Sequence, residues 1–318
     1  MAEKRSGTKM ISRKIESKYS HEELIEEFFA THRLKKNTML SFEGVLRRYH
    51  TFLKNKGIVN PTERDLNTYR DELEEKVSSA SLQKYVVLLR RFYIWCEEMD
   101  YYPNIARHLK GATISPTFQR EALDVDQVKR LLRKAEKLST RSIKHFRDYV
   151  IVRLIITTGL RTVEISRANV EDLTKVNGCN VLYIQGKGRD DKAEYVKLPD
   201  NVKILIDEYL MKRNSNSDAL FLSHSNSKKD ERITPRAVTI AVKSLLSLIG
   251  LDDKKYTAHS LRHTCATLAL KNGSSIQEVQ ALLRHKSINT TTIYLHNINR
   301  ESNNTEFIVD SILPKVKK

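Results

Sequence analysis

The chain has 318 residues, with 56 Lys+Arg against 39 Asp+Glu, a formal net charge of +17. That length suffices for one large or two ordinary domains, and no apolar run approaches the roughly 20 residues of a membrane-spanning helix. So large a positive excess favours a polyanionic partner, nucleic acid first.

The three cysteines, Cys96, Cys179 and Cys265, are odd in number and show no CxxC spacing. Neither a disulfide framework nor a zinc site is expected, and no metal. The N-terminus is polar and has no secretory apolar segment. The expectation is a soluble, cytoplasmic protein with no membrane partner, associated with the nucleoid.

In chain order, residues 1–20 carry Lys4, Arg5, Lys9, Arg13, Lys14 and Lys18 against Glu3 and Glu16, a basic arm. Residues 21–110 read as four helices. "HEELIEEFFATH" places Leu24, Ile25, Phe28 and Phe29 on one face. The next helix carries Leu40, Val45, Leu46, Tyr49, Phe52 and Leu53 and stops at Gly57. Pro61-Thr62 starts a short third helix through Leu66, Tyr69 and Leu73. "SASLQKYVVLLRRFYIWCEEMD" is the fourth, with Leu82, Val86, Leu89, Phe92 and Tyr93 inward and Lys84, Arg90 and Arg91 interspersed. The spacing is helical throughout. It predicts a small bundle with a basic face.

Residues 111–120, with Gly111 and Pro116, lack periodicity and read as a linker. A second domain spans 121–300. It opens with a helix near Asp124–Asp126. The period then changes: "NVLYIQGKGRDDKAEYVKLP" reads as a hairpin, Val181–Gln185 and Ala193–Leu198 around a glycine-bearing turn. After Pro199 the chain is helical again. Residues 301–318 form a tail. The class is mainly α (α+β), a helical bundle followed by a domain with a small antiparallel sheet.

His259–His296 concentrates the chemistry. A helix through Lys271 ends at Asn272-Gly273, and Ser275 with Glu278 makes a capping box for the next. His259 and Arg262 are three apart and share a face at a helix start, where anions bind readily. With His285 and Tyr294 they suggest a phosphate site. A plain helix-turn-helix fits the same segment.

"TTGLRTVEIS", "QGKGRDDK", "HSLRHTCATLAL" and "LLRHKSINTTTIYLH" resemble, in this order, the signature segments of the tyrosine recombinases, the phage-integrase and Xer-like family. The resemblance covers about 120–300, and the bundle before it resembles the family's SAM-like core-binding domain. It implies six catalytic residues: Arg161, Lys187, His259, Arg262, His285 and Tyr294, with Glu164 supporting. One departure stands out. The family usually has glycine before the second histidine, and this chain has Arg284.

The implied reaction exchanges a DNA phosphodiester for a 3′-phosphotyrosine on Tyr294. A phenol with a pKa of about 10 needs help to lose its proton, and His259 is the candidate base or hydrogen-bond partner. Arg161 and Arg262 would fork onto the non-bridging oxygens. Lys187, on the hairpin turn, would protonate the 5′-oxygen, and His285 would donate a hydrogen bond. "GKGRDD" lacks the P-loop pattern, and no cofactor is expected. Lys84, Arg90, Arg189 and Arg236 are candidate DNA contacts.

The family resemblance implies double-stranded DNA and a tetrameric synapse of the chain with itself as partners, and leaves room for an accessory recombination protein. The apolar positions of "NNTEFIVDSIL" suit a helix docked on a neighbouring protomer or on its own domain. The leading role is integration and excision of a mobile element; Xer-type dimer resolution and inversion are alternatives. A type IB topoisomerase and a non-catalytic helix-turn-helix DNA-binding protein are further alternatives. Arg161 and Lys187, remote from the helix pair, speak against the last.

Overall fold

Side-chain caps begin most of the helices that build the first part of the chain. The computed structural model describes residues 19–113, 121–186, 191–225, 230–285 and 287–292. Helix α1 (His21–Thr31) starts where Ser20 Oγ accepts from the Glu23 N–H at 3.2 Å and Glu23 accepts from the Ser20 N–H at 2.7 Å. Thr62 and Asp65 repeat this box at α3 (Glu63–Glu74), and Ser78 caps α4 (Ser79–Glu98). Such caps satisfy N–H groups that the helix itself cannot. Between them, α2 (Lys36–Asn55) is followed by Gly57 at φ +64°.

The four helices close on Phe28, Tyr49, Leu66, Phe92 and Trp95. On α2 the inward face is Phe42, Val45, Leu46, Tyr49 and Leu53. Leu40, expected inward, is instead 56% exposed. At 3.6 residues per turn it lies about 200° around the helix from Phe42.

The chain divides into two compact units, Met1–Thr117 and Phe118–Lys318. The second is organised around α6 (Ile143–Thr158), which packs against α5 (Val125–Ser139), α8 (Asp200–Arg213), α9 (Pro235–Ser247) and α10 (Ala258–Lys271). Helix α6 has no polar face, as befits a central helix. Its two buried charges are satisfied locally. Arg147 Nε donates to Asp148 at 2.9 Å and its Nη1 to the Leu222 carbonyl at 2.6 Å.

Between α7 (Thr162–Arg167) and α8 lies an antiparallel sheet ordered β1 (Leu173–Val176), β2 (Cys179–Ile184), β3 (Glu194–Lys197). Leu173 pairs with Leu182, and Tyr183 with Tyr195. The sequence reading predicted the β2–β3 hairpin and missed β1. Asn177 and Gly178, at φ +48° and +77°, close β1 onto β2. Two positive-φ residues make the type I′ turn that Asn-Gly favours. Strand β1 is four residues long with Thr174 and Lys175 outward, too short to show alternation.

Two short elements follow α10 among the described residues, α11 (Ile276–Leu283) and α12 (Asn289–Thr292). Among the described residues no helix is long and apolar enough to cross a membrane.

Candidate active site

The site begins where α6 stops. Gly159 takes φ +64°, which glycine adopts without strain. Two residues later Arg161 caps α7. Glu164, three further on, turns back: its Oε2 accepts from the Arg161 N–H and its Oε1 from Arg161 Nη1, both at 2.8 Å. Glu164 is only 1% exposed, while the Arg161 side chain keeps 29% of its surface open. Burial raises the Glu164 carboxyl, but the Arg284 charge and the N–H and charge of Arg161 outweigh it, so the group is held below its ordinary value.

Helix α10 starts at the Thr257 cap, whose Oγ1 accepts from the His259 N–H at 3.2 Å. His259 is exposed in the first turn. Arg262, one turn on, is 1% exposed. It donates to the carbonyls of Gly159 and Leu283, tying the α6–α7 turn to the end of α11. A direct fork onto a phosphate is what the sequence led us to expect of both arginines. The structure leaves Arg161 at a cavity and places Arg262 in the core.

Helix α11 opens on the Ser275–Glu278 box and ends at Arg284, whose backbone is left-handed at φ +55°, ψ +48°. The turn expected of glycine therefore forms with arginine in it. Arg284 Nη2 reaches Glu164 Oε2 at 2.9 Å, and Nη1 donates to the Leu282 carbonyl at 2.6 Å. Sequence reasoning flagged Arg284 only as a departure; its ion pair with Glu164 spans 120 positions. His285 follows, with Nδ1 2.9 Å from Thr291 Oγ1. Burial, then the charges of Arg262, Arg161, His259 and Arg284, push its imidazole down to about 4, so it is neutral near pH 7.

Arg161, Arg284 and His285 line a cavity of about 860 Å³ with Gly186, Ala193 and Thr290. The ends of the β2–β3 hairpin thus reach it. Lys187 and Arg189 on that hairpin, and Tyr294 two positions past α12, lie outside the described residues, as do His296 and the tail. A second hairpin lysine, Lys192, is held by Asp172, with Nζ 2.7 and 2.8 Å from the two carboxylate oxygens. His263 is fully buried against Thr267, its imidazole pushed by burial down to about 4.

Of the candidate DNA contacts, Lys84 and Arg236 are exposed on α4 and at the start of α9. Arg90 is half-buried, and its Nη2 donates to the Leu109 carbonyl. Among the described residues, no three or more His, Cys, Asp or Glu side chains are grouped to hold a metal ion.

The phage integrase family model matches residues 121–301, and the model of the phage integrase N-terminal SAM-like domain matches residues 22–98. The tyrosine recombinase XerA of Pyrococcus furiosus is 30% identical over 278 residues, 86% of this chain and 88% of that protein. Among solved structures, the XerH site-specific recombinase bound to its palindromic substrate after cleavage superposes with a TM-score of 0.72 at 23% identity, over 92% of this chain and 84% of the other. A lambda integrase tetramer bound to a Holliday junction gives 0.65 at 16% identity, over 87% and 78%. Both structural likenesses speak to the fold. The sequence matches span most of the chain, which belongs to the phage integrase family, the tyrosine recombinases.

Proposed function

We propose that this protein is a site-specific DNA recombinase that cuts and rejoins double-stranded DNA through a phosphotyrosine, acting as a tetramer on two sites. The observation that carries the reading is the shared cavity: a carboxylate-held Arg161 and a neutral His285 face the same space as the ends of the hairpin that bears Lys187. The XerH and lambda neighbours, solved with DNA, suit the same reading, as does the net charge of +17.

In the mechanism, Tyr294 attacks the scissile phosphorus in line. The phosphotyrosine bond forms as the bond to the 5′-oxygen breaks. His259 accepts the phenol proton or hydrogen-bonds the phenol, and Lys187 gives a proton to the departing oxygen. Arg161 stabilises the charge growing on the non-bridging oxygens. His285, neutral and paired with Thr291 at Nδ1, serves as a hydrogen-bond donor rather than a cation. Arg262 supports the site from behind, holding Gly159 and Leu283 in place and adding its charge. The bond energy is kept in the phosphotyrosine, so no nucleotide is consumed and religation is the same step reversed.

Integration and excision of a mobile element, by a protein acting on nucleoid DNA in the cytoplasm, is the role we favour. The XerA relative, 30% identical over most of both chains, favours Xer-type dimer resolution as the second reading.

The test uses nicked duplexes drawn from DNA flanking the gene, run on denaturing gels. A protease-sensitive DNA–protein band that Tyr294→Phe lacks is the expected result. A band of equal strength from Tyr294→Phe would move the nucleophile elsewhere, and tight binding with no band from the unaltered protein would leave a DNA binder.

A further inference from the structure

Glu164 is one buried carboxylate shared by two guanidinium groups. Its Oε1 takes Arg161 Nη1; its Oε2 takes both the Arg161 N–H and Arg284 Nη2. The partners differ in exposure. The Arg161 side chain is 29% open, the Arg284 side chain 6%.

Counting charge shows what the second guanidinium does. Glu164 and Arg161 alone form a neutral pair, and a phosphate arriving at Arg161 would meet a cation already compensated. Adding Arg284 leaves the triad with one net positive charge, and its exposed member is Arg161. Coulombic attraction in a poorly solvated pocket is far stronger than in water, so one uncompensated charge matters there.

The backbone indicates that this guanidinium is held against a cost. Arg284 sits at φ +55°, ψ +48°, where an L-residue is strained and glycine is not. Its bonds to Glu164 and to the Leu282 carbonyl, one of the orphan acceptors at the end of α11, offset that strain.

We propose that Arg284 is a positioning residue of the phosphodiester site: an enclosed second cation that orients Glu164 and offsets its charge, so that Arg161 presents an uncompensated charge to the scissile phosphate. The proposal rests on the recombinase reading above. It assigns Arg284 no contact with DNA; Arg284 acts through Glu164 on Arg161.

The sign of the pH effect follows. Arg284 and Arg161 are the charges that lower the Glu164 carboxyl against its burial. Neighbouring His285 is held neutral, in part by Arg262, Arg161, His259 and Arg284. Without Arg284 the first of the charges that oppose burial is gone, and the Glu164 carboxyl rises. As pH falls Glu164 then takes up a proton, and Arg161 regains an uncompensated charge.

The test compares Arg284→Gly and Arg284→Lys with the unaltered protein on the nicked duplex, measuring adduct rate and DNA affinity separately from about pH 8.5 down to about 5.5. Glycine suits the left-handed backbone, so Arg284→Gly keeps the fold, which a thermal melt verifies. The expected result is affinity within about threefold of the unaltered protein and an adduct rate about ten- to a hundredfold lower, the loss of one charge-assisted hydrogen bond. The deficit narrows as pH falls, Arg284→Lys recovers part of the rate, and guanidinium ion at about tens of millimolar restores Arg284→Gly. Equal adduct rates for Arg284→Gly and the unaltered protein at every pH would overturn the proposal. So would a slow variant with an unchanged pH profile and no rescue, which marks a merely structural role.

The Glu164 titration, followed by carboxylate NMR without DNA, separates this proposal from the recombinase reading. An upward shift in Arg284→Gly supports the positioning role even if no duplex yields an adduct, and an unshifted carboxyl overturns it.

Discussion

The buried guanidinium of Arg262 donates to the carbonyl of Gly159, 103 positions earlier in the chain. With its second bond, to Leu283, it joins three helix ends at one point. Arg262→Ala leaves two carbonyls without this donor and opens a cavity, so stability falls by about 3 kcal/mol or more. Arg262→Lys carries the charge but lacks the fork and recovers only part of it. Arg161→Ala, at a partly open position, loses cleavage with a much smaller stability change. Urea unfolding of the three variants checks the order; equal losses for Arg161→Ala and Arg262→Ala would contradict this division of roles.

Gly159 is constrained from two sides. Its φ of +64° suits glycine, and a Cβ placed there would sit 2.6 Å from Leu283 Cδ2. Gly159→Ala is expected to cost about 1–3 kcal/mol and to slow adduct formation, because Arg161 begins two residues on. A midpoint and adduct rate unchanged in the Gly159→Ala protein would show the turn to be tolerant.

Lys187 is the proposed general acid at the 5′-oxygen. Lys187→Ala should slow adduct formation by about 10²–10⁴-fold, and a 5′-thiolate leaving group, which needs no proton, should restore the rate. Lys192 is tied to Asp172, so Lys192→Ala should destabilise the hairpin and show no such rescue. Thiolate rescue of Lys192→Ala in place of Lys187→Ala would reassign the acid.

His21 makes the first unit acid-sensitive. It is buried, stacked 5.7 Å from His50, and its imidazole is pushed by burial, then by His50, down to about 3. The folded state keeps His21 neutral, whereas the unfolded chain protonates it below about pH 6.5. Stability is therefore full above that pH and falls by about 1.4 kcal/mol per pH unit as the solution is acidified toward 3. Trp95, the chain's single tryptophan, lies in this unit's core and reports its unfolding. His21→Phe should flatten the acid limb of Trp95-detected urea midpoints; an unaltered slope would assign the effect to another group.

DNA affinity should fall steeply with salt. If about six or more phosphates are neutralised, log K against log salt has a slope of about −5 or steeper. Fluorescence anisotropy over a salt series reads it directly, and a flat profile would count against binding through phosphate contacts.

Much of the local architecture was legible in the sequence because it is set by neighbours. Thr62 with Asp65 and Ser275 with Glu278 sit three residues apart and mark helix starts with no tertiary information. Periodicity showed which faces of α1, α3 and α4 turn inward, and failed at Leu40, where one position in a correctly placed helix falls on the other side. Strand β1 escaped, although Asn177-Gly178 announced its turn, because four residues are too few for a period to appear.

The sequence by itself determined that Arg161, Glu164, His259, Arg262 and His285 belong together in one family pattern, and that Arg284 stands where the family usually has glycine. Only the tertiary structure decided which partners the guanidinium groups take. It turned Arg262 inward onto two backbone carbonyls, left Arg161 at the cavity, and brought Arg284 back across 120 positions to Glu164. The physical reason is range. Caps and turns are fixed by groups a few residues apart, whereas a buried ion pair is fixed by desolvation, which depends on every element that closes over it.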